Sequence, residues 1–103
     1  MDAAQNNSKR LQANFTPHVY NRGRNGKNIF HAQTEKSFFL KLCEKYSVLT
    51  GCKIHSYCLM SNHFHLLITS TKESGLSNMM KNVLGQYARW FNQVQMRSGA
   101  VWH

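Results

Sequence analysis

Apolar residues recur along this chain with two different periods, and the switches between them predict five elements. From Phe15 to Arg22 the β-formers Val19 and Tyr20 predict a first strand. From Thr34 to Leu49 the period becomes helical. Phe38, Leu42, Tyr46 and Leu49 form a stripe, which Phe39 and Cys43 widen, while Lys36, Lys41 and Lys45 fall mainly opposite. Thr34 is the expected N-cap, Glu35 sits in the first turn, and Gly51 suits the C-terminal stop. Lys53–Met60 and His63–Thr69 then read as two strands, with Ser61-Asn62 as the turn of a hairpin. Ser70–Gly75 is a linker, and Ser74 or Ser77 caps a second helix that runs to about Gln95. Its buried stripe is expected at Leu76, Met80, Val83, Tyr87, Trp90 and Val94. Arg97–Ala100 breaks the helix, and Val101-Trp102-His103 reads as the stub of a further strand in which Trp102 has little to pack against.

The order β-α-β-β-α is that of an α+β, ferredoxin-like (split βαβ) antiparallel sheet with two helices on one face, lacking its last strand. The chain is therefore expected to be C-terminally truncated, with one sheet edge open to a partner or to further chain. Its 103 residues suit one domain. Residues 1–14 are polar, without apolar periodicity, and read as a flexible tail in which Lys9 and Arg10 are mostly solvated; 15–103 is the folded unit.

Charge narrows the partner. Thirteen Lys and Arg oppose four Asp and Glu, a formal net charge of +9. So large an excess favours a polyanion, with nucleic acid ahead of an anionic membrane surface. No apolar run is long enough to span a bilayer, and the first residues have no signal-peptide core. Cys43, Cys52 and Cys58 are odd in number, match no zinc spacing and have apolar neighbours. Buried free thiols in a cytoplasmic protein are expected.

Two segments carry candidate chemistry. In a strand, residues i and i+2 share a face. His63, His65 and Leu67 therefore point one way, and Phe64, Leu66 and Ile68 the other. On the preceding strand Tyr57 and Leu59 are expected to share one face, and Ile54, Cys58 and Met60 the other. Two imidazoles aimed together make half of a divalent-metal site, to be completed by a third protein group and water or phosphate oxygens. The second segment is the loop Asn21–Asn28, with two glycines, three asparagines and three cations. Gly and Asn admit left-handed backbone, so such a loop brings amide N–H groups to a phosphate, or is simply a solvated turn.

The run Tyr57-Cys-Leu-Met-Ser-Asn-His-Phe-His-Leu-Leu67 closely resembles the signature of the HUH single-tyrosine transposases, in particular the REP-associated branch, which usually has Pro where this chain has Ser61. His18-Val-Tyr-Asn-Arg-Gly23 resembles the family's first strand and loop, Leu84–Asn92 its second helix, and Arg97-Ser-Gly with Trp102 its Gly-x-x-Trp segment. The resemblance spans about residues 15–103. It implies recognition of a DNA hairpin and cleavage of adjacent single-stranded DNA by a tyrosine hydroxyl. It also implies Mg²⁺ or Mn²⁺ on His63 and His65, and a homodimer. The family's nucleophile lies on a later helix beyond the Trp segment, so this chain is expected to bind DNA without cleaving it alone. Tyr87 is a weak substitute, since its register with Val83, Trp90 and Val94 suggests burial. Arg22, Arg24, Lys27, Lys81 and Arg89 are the expected phosphate contacts. The alternatives are a domesticated, non-catalytic regulator of DNA or RNA, and an active nuclease using Tyr87.

Overall fold

A computed structural model describes residues 17–72 and 74–103 of the chain. The expected polar tail at 1–14 and the start of the first strand at Phe15 lie outside the described residues. Within them run β1 (His18–Arg22), α1 (Gln33–Thr50), β2 (Cys52–Leu59), β3 (His63–Ser70) and α2 (Gly75–Val94), with a short 3-10 turn at Arg24–Gly26. The strand order is β1-β3-β2, and β3 is antiparallel to both neighbours. This is the split βαβ arrangement, and the protein is α+β as its element order predicts.

Both helices cover one face of the sheet. Phe64, Leu66 and Ile68 of β3 are almost completely buried there, with Phe39, Leu42, Cys43 and Tyr46 of α1 and Met79, Val83, Tyr87 and Phe91 of α2. The helical lines differ from the expected stripes: Phe38, Leu76, Met80 and Trp90 are half-buried, and Met79 and Phe91 are sealed in α2 instead. Leu49 and Val94 are exposed, at 67% and 51%. The buried apolar residues run 39-42-43-46 and 79-83-87-91, so each line continues to Thr50 and Gln95 and leaves Leu49 and Val94 to the side. Those two line-end residues are polar and bonded: Thr50 Oγ1 donates to Tyr46 O at 2.6 Å, and Gln95 Nε2 donates to Glu35 Oε2 at 2.8 Å.

The helix starts also depart from expectation. Ala32, not Thr34, occupies the N-cap of α1 and has no oxygen to offer. Glu35 at the third helical position supplies it: Oε1 accepts from the backbone N–H of Ala32 at 3.1 Å and from that of His31. Ser74 occupies the N-cap of α2 without a side-chain bond, and Ser77 lies inside the helix. Gly51 does end α1, at φ 74°, with its N–H on Ser47 O.

On β2 Tyr57 and Leu59 share a face as expected, opposite Cys58, and one extra residue moves Ile54 across to join them. Ile54 pairs with Ile68 and Ser56 with Leu67, so His55 forms a bulge. Ile54 thus joins Tyr57 and Leu59 on the helix side, and Cys58, opposite His65, falls on the outer face. Cys58 is exposed, Cys52 half-buried and only Cys43 fully buried, so three buried thiols are not what the fold makes. Burial pushes the Cys43 thiol up to about 12.

The chain end is anchored, contrary to the expectation for Trp102. Its indole packs on Phe64 at 5.4 Å and Tyr87 at 5.8 Å between centroids, and Nε1 donates to Leu84 O at 3.0 Å. Trp102 bridges Gly23, Arg24 N donates to Val101 O and His103 N to Arg22 O, so 101–103 is the expected strand stub on the β1 edge. No helix among the described residues is long and apolar enough to cross a membrane.

Two outcomes check this packing. Phe64→Ala, which empties the centre of the core, should lower unfolding free energy by about 3–5 kcal/mol in a urea titration, whereas Leu49→Ala should change it by less than about 0.5 kcal/mol. A disulfide-exchange reagent at pH 8 should label Cys58 in the native protein and reach Cys43 only after unfolding.

Candidate metal and nucleic-acid site

The pleat of β3 builds the site. With Phe64 and Leu66 pinned in the core, His63 and His65 must project from the outer face, and their rings lie 5.2 Å apart, edge to face. Strand β1 adds three side chains to that face, because paired residues of adjacent strands point the same way. Tyr20 faces His65 and Arg22 faces His63, while His18 faces Leu67. The Tyr20 ring lies 4.9 Å from that of His65 and 5.8 Å from that of His63, and is half exposed.

Each histidine of the pair has its Nδ1 occupied. His63 Nδ1 lies 2.8 Å from Asn62 Oδ1. An amide oxygen only accepts, so Nδ1 carries the proton and Nε2 holds the free lone pair. His65 Nδ1 lies 2.8 Å from His18 Nε2, and the two rings stack at 4.9 Å. When His18 accepts, His65 Nε2 is likewise free for a cation. His18 is thus the hydrogen-bond partner of His65 Nδ1, with the proton on one or the other ring nitrogen. Sequence reasoning missed it, although His18 lies in the run that resembles the family's first strand. Only β1–β3 pairing brings it to His65. Partial desolvation beside these rings, together with the charges of His18 and His63, holds the His65 pKa below the ordinary histidine value. Among the described residues, no group of three His, Cys, Asp or Glu side chains is placed to hold a metal ion.

The family model described as "Transposase IS200 like" matches residues 11–103. The chain belongs to the IS200-like transposase family. One similar solved structure is that of a candidate transposase from Deinococcus radiodurans R1. It has a TM-score of 0.64 and 12% identity, over 87% of this chain and 68% of that one. At that identity the likeness establishes the fold. No curated protein matches the sequence.

In this IS200-like chain, Tyr87 is far from an exposed nucleophile. It is fully buried on the helix side of the sheet, ringed by Phe30, Phe39, Phe91 and Trp102. Its hydroxyl donates to Ile29 O at 2.5 Å. Burial, then the Glu35 carboxylate, drives its pKa upward, away from the phenolate. Tyr46, on α1, is also buried. Neither helical tyrosine faces the histidines.

The five expected phosphate contacts fall in three places. Arg22 stands on the histidine face, with Nη2 3.4 Å from His103 Nε2. Arg24 and Lys27 are exposed in the loop beyond β1. Lys81 and Arg89 are exposed on α2, in the layer behind the sheet, and the fold does not bring them to the histidines. The loop does use left-handed backbone, at Asn25 (φ 58°) and Gly26 (φ 73°). Gly23 serves a different need: a Cβ there would stand 2.0 Å from Lys27 O.

The burial of Tyr87 has a measurable consequence. Tyr87→Phe leaves Ile29 O without its partner and should lower stability by about 1–2 kcal/mol in chemical denaturation, with any DNA-linked activity changing no more than stability does.

Proposed function

We propose that this chain is the DNA-binding and metal-binding domain of an IS200-like transposase. It binds hairpin or single-stranded DNA and seats Mg²⁺ or Mn²⁺ on His63 and His65 beside a phosphate. The observation that carries this reading is the outward pair of imidazoles, 5.2 Å apart between ring centroids, whose Nδ1 atoms are both engaged, by Asn62 and His18. A hard divalent ion would complete its shell with water and phosphate oxygens, and would polarise the phosphate for attack. Arg22, beside His63, is placed to neutralise a phosphate at that ion, and the net charge of +9 supplies general attraction. Neither helical tyrosine supplies the attacking hydroxyl. Tyr20, half exposed over both imidazoles, presents an aromatic face to a base.

Isothermal titration with Mn²⁺ should show one site in the full chain, lost in the His63→Ala, His65→Ala double variant. His18→Ala should weaken it by about tenfold, as loss of an outer hydrogen-bond partner does. In parallel, anisotropy of a labelled DNA hairpin with a single-stranded flank should show affinity falling steeply with salt. An RNA hairpin of the same sequence bound more tightly than the DNA would favour a regulator of RNA instead. No DNA binding at low salt would remove the reading.

A further inference from the structure

The end of β2 brings sulfur to the outer face of the sheet. Cys58 stands directly opposite His65 in the β2–β3 pairing. Two residues on, Met60 N donates to His63 O at 2.8 Å, which sets Met60 beside His63. Both sulfur residues are exposed, and the Cys58 thiol lies 3.7 Å from the Met60 thioether sulfur. The hairpin thus carries Cys-x-Met on one strand end and His-x-His on the next, joined by Ser61-Asn62. Side chains directly opposite each other in an antiparallel pair share a face and lie within reach of one another.

The hydrophobic core explains neither sulfur. Met60 is 46% exposed, and Cys58 is a free thiol on the solvent side. Their chemistry is specific. Thiolate and thioether are soft donors that suit Cu(I), imidazole also suits copper, and Mg²⁺ and Mn²⁺ prefer oxygen. With metal–sulfur bonds of about 2.3 Å, sulfurs 3.7 Å apart subtend an angle of about 107° at a shared ion. That angle is near tetrahedral and leaves a place for a third donor, which His65 occupies across from Cys58. A thioether supplies what the His, Cys, Asp and Glu side chains of this face do not complete among themselves.

We infer that Cys58, Met60 and His65 form a Cu(I) site on the outer face of the β2–β3 hairpin, sharing one imidazole with the proposed divalent-metal pair. On binding, the Cys58 thiol proton leaves to solvent as the copper–sulfur bond forms. The ion stays Cu(I), so nothing is oxidised or reduced. One imidazole nitrogen cannot serve two ions, so Cu(I) and Mn²⁺ exclude one another. The soft site itself stands on the two sulfurs and does not require the hard one.

The test is an anaerobic competition at neutral pH, without added thiol, in which the full chain withdraws Cu(I) from its coloured bicinchoninate complex. The wild-type chain should take one equivalent. Cys58→Ser should weaken uptake on the order of a hundredfold, and Met60→Leu and His65→Ala each on the order of tenfold, as soft donors are removed. Cys52→Ser, at a half-buried thiol outside the site, should change nothing. X-ray absorption at the copper edge should show two sulfur neighbours at about 2.3 Å and one nitrogen at about 2.0 Å. In calorimetry, one equivalent of Cu(I) should abolish Mn²⁺ binding, whereas copper-free Cys58→Ser should bind Mn²⁺ as the wild type does. Wild-type Cu(I) affinity in both sulfur variants, its loss in Cys52→Ser, or a spectrum without sulfur neighbours overturns the proposal. Copper held by two sulfurs with no Mn²⁺ uptake keeps this site and removes the divalent-metal reading. Mn²⁺ uptake with no copper withdrawn does the reverse.

Discussion

The alternation along β3 is the constraint on which the rest depends. It is the central strand, hydrogen-bonded on both edges, so its register is set by two neighbours at once. Phe64, Leu66 and Ile68 are each sealed under the helices, and each such side chain contributes about 1.5–3 kcal/mol by leaving water. A slip of one residue would put those three into solvent and the histidines into the core. The same burial that holds the sheet to its helices therefore holds His63 and His65 outward. The placement of the two imidazoles is here a by-product of hydrophobic packing, which requires no dedicated scaffold.

A second coupling runs from the aromatic core to the basic loop. Tyr87 sits among Phe30, Phe39, Phe91 and Trp102, and its one polar atom ends on Ile29 O. A buried hydroxyl without an acceptor is costly, so Ile29 must stay where the tyrosine can reach it. Ile29 and Phe30 in turn donate to the turn before His63. The loop from Gly23 to Asn28 is exposed along most of its length and yet tied at both ends. Its cations are thus presented from a fixed frame. An aromatic residue that resembles a nucleophile by type alone is instead part of what steadies the basic loop.

Much of the architecture was legible in the residues. The period-two run at 63–69, the stripes of the helices at spacings of three and four, and Gly51 at a left-handed stop are local features, each decided within one or two turns of chain. They led to the strand order of elements, the α+β class and the outward pair of histidines. The family resemblance rests on the same runs. Errors arose where a neighbour from a distant part of the chain decides. Leu49 and Val94 keep helical spacing but lie beyond what the sheet and the opposite helix cover. Thr34 looks like a cap by type, while the carboxylate of Glu35 takes the N–H groups instead. A single extra residue at His55 puts Ile54 on the opposite face from Cys58, and nothing in the local pattern of β2 marks it.

What the sequence by itself determined is the alternation, and with it the side of the sheet that bears His63 and His65. Local stereochemistry suffices for that, because successive strand residues must point oppositely. Only the tertiary structure decided the company those histidines keep. His18 and His65 are separated by 47 positions and meet through β1–β3 pairing; Trp102 finds Phe64 and Leu84 by returning along the edge of β1. Such contacts are selected by the packing of the whole chain, since no short segment contains both partners.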